Sequence, residues 1–305
     1  MFRFLVAAIM ASVLFSVSAA AETKVRFGTF NVYWLYDDKA PYLNWADRRD
    51  QASYEEAIRV IGDAIKEIDA DVLALQEIEG ENVLRDLTEY LRGQGLDYPY
   101  FWAGQTLEPV TGQNVGLLSK FPNVIEPVKR YPGLITDYLS SKGQSRVAGI
   151  PKLLRVDLDI EGNIVTVFAT HLKSQRGGDS ADYERHAQAK MLRRLVRVRT
   201  EKGNGNNPSF VAVMGDLNDY PNSLTMGILR GNNDGSYNLS QASTKLPEGD
   251  AWSYIFQGEK QLLDHVLMNK FLYERVQSTE MKRFPDSVSD HDAMVVEVVF
   301  ENEGL

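Results

Sequence analysis

Six short apolar runs, each bounded by an acid, an amide or a histidine, set the limits on what this chain can fold into. They are "KVRFGTFNV", "DVLALQEI", "NIVTVFATHL", "SFVAVMGDLND", "QLLDHVLMN" and "AMVVEVVF". Runs this short and this rich in Val, Ile, Leu and Phe read as sheet strands with little exposure. The polar residues at their ends are Asn31, Glu77, His171, Asp216 with Asn218, Asp264, and Asp290 with His291. Burying such groups costs several kcal/mol apiece (about 2–7 for a neutral polar group) unless they are paired or hold a metal. Their recurrence at strand ends is therefore the first clue to a site.

Helical periodicity separates these runs. "SYEEAIRVIGDAIKEIDA" (53–70) carries Ala57, Ile58, Ile61, Ile65 and Ile68 on one stripe, and a second helix is predicted from Glu81 to Arg92. A long helix from Ala181 to Arg199 should present Tyr183, Ala187, Met191, Leu195 and Val198 to the core, and a short one should lie around Ser223–Leu229. "NVGLLS" and "PKLLRVDLDI" add strands bounded by turn signals. The β-α-β-α opening and the strand-rich middle predict an α/β fold of two sheets packed face to face with helices outside.

The first 21 residues have one positive charge at Arg3, an apolar run from Phe4 to Val17 and small residues Ser18 to Ala21. That is the layout of a secretory signal peptide cut after Ala21, leaving 22–305 as one domain in the periplasm or outside the cell. The run is too short to anchor the mature chain in a membrane. Export into an oxidising compartment usually favours disulfides, yet the chain has no cysteine. Thiolate nucleophiles, iron–sulfur clusters and cysteine zinc sites are thereby excluded.

Taken singly, each polar strand end is an ordinary turn former. Gathered at one end of a sheet, the oxygens among them suit a hard divalent cation such as magnesium, which accepts carboxylates and amides and keeps room for a phosphate. His171 and His291 are then the groups suited to moving protons near neutral pH.

In order along the chain, "TFNV", "LQEIEG", "ATHLKS", "GDLND", "LLDHVLMN" and "SDHDAM" resemble the motifs of the endonuclease/exonuclease/phosphatase superfamily, its DNase I-like branch in particular. The resemblance implies a four-layer αββα sandwich with mixed, mainly antiparallel sheets, and hydrolysis of phosphoesters by in-line attack of water with Mg2+ (or Mn2+ or Ca2+). It makes Glu77 the principal metal ligand, with Asn31 and Asp290 beside it. Asp216 would position or activate the water and Asn218 hold the phosphate. His291, oriented by Asp264, would be the general acid or base, and His171 marks the DNase I-like branch.

Lys173 and Arg146 are further candidates for contact with the substrate phosphate. His186, among charged neighbours, is read as solvated, and His265 as structural because strand alternation turns it away from Asp264. Asn114 either caps a turn or faces the cleft. The aromatics of "NVYWLY" and "PYLNW" are read mainly as packing beneath a loop.

A formal charge of −9 argues against tight binding to long DNA, because that affinity comes from many Lys and Arg contacts. The cations Arg185, Lys190, Arg193, Arg194, Arg197, Arg199 and Lys202 on the long helix are read as a solvated face. The leading expectation is a monomeric secreted nuclease acting on DNA or RNA. A phosphodiesterase or phosphatase of lipid head groups or inositol phosphates is the alternative, although no long hydrophobic membrane-contact hairpin is evident. A secreted binding protein that keeps the fold without the catalysis is the alternative of another class.

Overall fold

The structure is a computed structural model that describes residues 22–39, 50–106, 111–201, 209–231 and 237–301. The leader, "PYLNW" and Lys202 lie outside the described residues. In chain order the elements are β1 (Glu22–Leu35), α1 (Gln51–Ile68), β2 (Val72–Ile78), α2 (Glu81–Gly93), β3 (Tyr100–Ala103) and β4 (Asn114–Ser119). Then come β5 (Ile135–Leu139), β6 (Ser145–Gly149), β7 (Leu153–Ile160), β8 (Asn163–His171), α3 (Asp179–Glu201), β9 (Phe210–Asp216) and α4 (Leu224–Arg230). The last are β10 (Leu239–Gln241), β11 (Tyr254–Phe256), β12 (Glu259–Gln261), β13 (Asp264–Asn269), α5 (Lys270–Tyr273), β14 (Val276–Lys282) and β15 (Ala293–Glu301).

Two sheets carry the fold: a six-stranded one ordered β14-β15-β1-β2-β4-β3 and a five-stranded one ordered β10-β13-β9-β8-β7. Alternation along the strands builds the layers. Val72 and Ala74 of β2, and Met294, Val296 and Val298 of β15, face Ala212 and Met214 of β9 and Val266 of β13 in one apolar core between the sheets. The opposite faces send Leu73, Leu75 and Val295 against Ile61, Ile65 and Ile68 of α1 and Leu84 and Leu87 of α2. In the second sheet, Phe168, Val211 and Val213 pack on Leu192 and Val196 of α3 and Met226 of α4. The four αββα layers are as expected from the sequence.

The pairing directions decide where the strand ends meet. β1 runs parallel to β2, and β8 parallel to β9, each pair joined through a helix. β15 is antiparallel to β1, and β13 antiparallel to β9. The C-terminal ends of β1, β2, β8 and β9 therefore share an edge with the N-terminal ends of β13 and β15. The registers Asn31↔Gln76, His171↔Asp216 and Asp264↔Asp216 fix this at single residues.

The long helix is rotated relative to the sequence reading. Ala187 and Met191 are buried as expected, but Tyr183 and Val198 are exposed, and Arg185, Gln188, Leu192 and Val196 are buried instead. Its hydrophobic stripe is weak because buried polar groups interrupt it. Arg185 is only 2 % exposed, which removes it from the solvated face assigned to the helix cations.

Gly215, immediately before Asp216, sits at φ +154°, and a Cβ there would lie 1.8 Å from the carbonyl oxygen of Thr170. Neither backbone can yield without breaking the β8–β9 ladder. Gly215→Ala should therefore lower the unfolding free energy by about 3 kcal/mol in urea titration, combining overpacking with an unfavourable φ; a variant with the wild-type midpoint would contradict this packing.

Candidate active site

Because Val25 and Phe27 of β1, Val167 and Ala169 of β8, Ala212 and Met214 of β9, and Val266 and Met268 of β13 all face the inter-sheet core, strict alternation turns Asn31, His171, Asp216 and Asp264 to the same side. These four are buried, as are Asn218 and His291. Asn31 Nδ2 donates to Asp216 Oδ2 at 3.2 Å, linking the two sheets. His291 Nδ1 lies 2.6 Å from Asp264 Oδ2, while its Nε2 is 4.0 Å from Asp216 Oδ2. His171 Nε2 is 3.6 Å from that same Asp216 oxygen.

Glu77 reaches the site by a different device. Leu73 and Leu75 face the helices, so unbroken alternation would point Glu77 there too. A register shift between Gln76 and Ile78 puts Ile78 in that helix-facing cluster, and Glu77 takes a left-handed φ of +63°. A bulge of this kind re-aims one side chain, at an order of 1–3 kcal/mol for the strained backbone. The charges of His291, Lys152 and Asp290 act on Glu77, with the Asn31 amide beside it.

The electrostatics split the two imidazoles. Burial opposes charge on His291, but Asp264, by charge and hydrogen bond, and Asp216 and Asp290 overcome it and push the pKa up to about 10. His171 goes well below its usual value because it is buried beside Lys152 and His291. Its contact with Asp216 is thus between a neutral ring and a carboxyl group, not an ion pair. Burial and the nearby Asp264 raise Asp216, and burial likewise raises Glu77 and Asp290.

A metal has two possible seats. Asp216, Asp264 and His291 offer ligand atoms within 4.8 Å of one another. The short Asp264–His291 contact occupies Nδ1 and Oδ2, which leaves Asp264 Oδ1 and His291 Nε2 as the ligand atoms of that pair. Glu77 is the better anchor: its Oε2 is buried without a hydrogen-bond partner and it stands on a strained bulge, with Asp290 acting on it. A carboxylate oxygen so placed fits a hard cation.

Among the described residues, two that were singled out from the sequence make no side-chain hydrogen bond or ion pair with the cluster. Arg146 is exposed on the β5–β6 hairpin with its guanidinium on Gln144. Lys173 is half-buried, and its backbone amide is bound by Gln188. Asp292, third of the ionisable run before β15, is turned away to accept from Arg283 and the Phe284 amide. Asn114 pins the turn before β4, donating to the carbonyls of Glu79 and Gly112. His265 bonds the Asp219 carbonyl at 2.9 Å, on the face opposite Asp264, and His186 is half-buried rather than solvated.

The sequence reading gave no site role to Lys152, which it placed only in a basic stretch with Lys142, Arg146 and Arg155, and none to Tyr254, Arg176 or Ser289. Lys152 Nζ donates to Gln113 at 2.6 Å and its charge acts on both Glu77 and His171. Tyr254 lays its ring against His291 with centroids 4.8 Å apart. Arg176 acts on Asp290 and Tyr254 from the loop after β8. Ser289 donates to the Asn31 carbonyl and accepts from the His291 amide, tying β1 to the start of β15. A signal existed for Lys152, the cation opening a strand that leads into β8; Tyr254 sits in a short loop strand with no periodicity to point it inward.

Residues 28–291 match the Endonuclease/Exonuclease/phosphatase family, and the chain belongs to that family of divalent-metal-dependent phosphoester hydrolases. Among solved structures it is similar to truncated TDP2 from Caenorhabditis elegans, with a TM-score of 0.59 at 18% identity over 90% of this chain and 97% of that one. It is also similar to the endonuclease/exonuclease/phosphatase from Bacteroides vulgatus (TM-score 0.58, 16% identity, 90% and 98% covered). The human Nocturnin catalytic domain with bound sulfate gives a TM-score of 0.54 at 15% identity, with 92% and 97% covered. No curated protein matches the chain.

Thermal unfolding tests the Glu77 seat. Saturating Mg2+ or Mn2+ should raise the wild-type melting temperature, since a ligand at a hundredfold its Kd adds about 2.7 kcal/mol. Glu77→Gln should lose that rise while being at least as stable as wild type in EDTA, because a buried unpartnered carboxyl is gone; a full metal-induced rise in the variant would place the ion elsewhere.

Proposed function

We propose that the protein is a secreted, Mg2+-dependent phosphodiesterase, and that it acts as a nuclease on DNA or RNA. The observation that carries this is the meeting of Asn31, Glu77, His171, Asp216, Asn218, Asp264, Asp290 and His291 at one edge of the two sheets. A phosphodiester anion repels a nucleophile, so a hydrolase must neutralise the non-bridging oxygens, align water in line and stabilise the departing oxygen. Held by Glu77 with Asn31 and Asp290 beside it, Mg2+ (or Mn2+ or Ca2+) would supply the neutralisation.

The remaining tasks fall to this chain's own groups. His291, held as imidazolium by Asp264, donates a hydrogen bond to the phosphoryl group and a proton to the leaving oxygen. Asp216, raised toward neutrality by its burial, is suited to take the proton of the attacking water. Asn218 directs the substrate phosphate, its backbone fixed at φ +53° by the hydrogen bond that its N–H donates to Asp216 Oδ1. Neutral His171 lines the same wall without adding a second repelling cation.

Two features bear on the substrate. The net charge of −9 makes affinity depend on local cations such as Lys152 and Arg176, so cleavage of a polynucleotide should fall with salt along the shallow slope of a few phosphate contacts. The lipid-phosphodiester reading gains support from the short β11–β12 hairpin, which exposes Ile255 and Phe256 one and two residues beyond Tyr254. Salt-dependent plasmid cleavage supports the nuclease, whereas choline release from sphingomyelin vesicles without plasmid cleavage supports the lipid enzyme. Neither activity would leave the non-catalytic binding protein.

Glu77→Ala and His291→Ala should each lower turnover of bis-p-nitrophenyl phosphate by about 10²–10⁴-fold while retaining the wild-type circular dichroism spectrum. Turnover near that of wild type in either variant would refute the assigned roles.

A further inference from the structure

Among the described residues Arg185 is the largest side chain buried to within 2 % exposure, and the reaction has no direct use for it. Its three nitrogens are spread over three partners. Nε donates to Asp219 Oδ2 at 3.1 Å, Nη1 to the Lys173 carbonyl at 3.0 Å, and Nη2 to Asp182. One turn along α3, Gln188 accepts from the Lys173 amide at 2.8 Å and donates to the Gly149 carbonyl at 3.1 Å. Both backbone groups of Lys173 are thus held by side chains of one helix.

Lys173 and Asp219 stand directly beyond the catalytic ends of β8 and β9. Between them the backbone is cross-tied: the Leu172 amide donates to the Asp216 carbonyl at 3.0 Å, and the Leu172 carbonyl accepts from Asn218 Nδ2 at 3.1 Å. A closed circuit runs from Arg185 through Lys173 and Leu172 to Asn218 and Asp219, and back to Arg185. Asn218 lies on it, His171 is one residue from it, and Asp216 is joined to it by the amides of Leu172 and Asn218.

We propose that Arg185, assisted by Gln188, is a positioning residue for hydrolysis: it clamps the exits of β8 and β9 so that His171, Asp216 and Asn218 keep their mutual geometry. A buried cation tied only to Asp219 and Asp182 would serve stability alone. The bond to the Lys173 carbonyl satisfies a buried guanidinium donor, and together with the Gln188 bond to the amide of the same residue it also fixes the loop that leaves β8. Asn218 tolerates its left-handed φ, but its side chain is aimed by the bond from Nδ2 to the Leu172 carbonyl, in the loop that the clamp holds. The guanidinium fork suits this task, as it reaches several acceptors in fixed directions, which an ammonium cannot.

The clamp's catalytic consequence rests on the phosphodiesterase reading; its structural consequence does not. A cavity of about 290 Å³, lined by Arg185, Asp219, Asp182, Gln175, His186 and Ser223 among others, opens beside the guanidinium, so a small cation can enter when the side chain is removed. In Arg185→Ala, kcat for bis-p-nitrophenyl phosphate should fall by about 10²-fold with KM within about twofold, the cost of a small misplacement of reacting groups. Millimolar guanidinium should restore most of the kcat, and tetramethylammonium should not. Arg185→Lys, which keeps a cation opposite Asp219 and guards against loss of folding, should still lose about tenfold in kcat because it cannot span Asp219 and Lys173 together. Amide hydrogen exchange of Leu172 and Lys173 should quicken in both variants and slow again in Arg185→Ala with guanidinium. Wild-type kcat and unchanged exchange in Arg185→Lys, or a folded Arg185→Ala that guanidinium does not rescue, would overturn the proposal. An inactive wild-type enzyme would instead refute the phosphodiesterase reading, and the exchange measurements would still decide whether Arg185 holds the loop.

Discussion

Two sheets that pack through Val, Met and Phe have no apolar reason to end in acids and imidazoles, and the Asn31–Asp216 hydrogen bond is where that conflict is resolved. It crosses from the six-stranded sheet to the five-stranded one at the edge where the dry core stops. A buried polar group left unpaired costs about 1–3 kcal/mol, so each group at this edge has to find a partner in the opposite sheet or in a bound ion. The ladders bring the partners within reach: β1 and β9 both deliver their C-terminal ends there. Every other contact of the site is laid around this crossing.

The same constraint explains why the site is strained and incompletely paired without its ligand. Glu77 bears the cost of a left-handed backbone and a buried oxygen with no partner, and Asp264 keeps its Oδ1 unpartnered as well. Asp264 is compensated through its other oxygen by His291, and the ring of Tyr254 covers that imidazole. Stability is thus spent at the edge and recovered in the core, where Phe27, Phe168 and Phe300 are fully buried. Helix α3 enters this balance as more than a cover for the sheet, because two of its buried polar residues hold the loop that leaves β8.

Much of this was legible in the sequence because strand alternation is a rigid rule. His171, Asp216 and Asp264 follow in phase from the apolar residues two and four positions before or after them, and Asn31 from Val25 and Phe27, so their common side could be read directly. Glu77 could be nominated by its motif but not by its phase, since the bulge that aims it shifts the alternation by one residue. Helix α3 was placed nearly to its ends but rotated wrongly, because Arg185 and Gln188 are buried where an apolar stripe would have excluded them. Edge strands such as β14, "VQSTEMK", escaped because their exposed positions blur the period. Arg146 and Tyr254 show the limit for loops: nothing local distinguishes a side chain facing solvent from one packed on a catalytic ring.

The account turns on where a cation binds, and anomalous scattering from a crystal grown with Mn2+ locates it without reference to turnover. A strong peak within coordination distance of Glu77 Oε2, with Asn31 or Asp290 oxygen beside it, is the predicted result. A peak confined to Asp216, Asp264 and His291, or no peak at this edge of the sheets, would contradict the central claim.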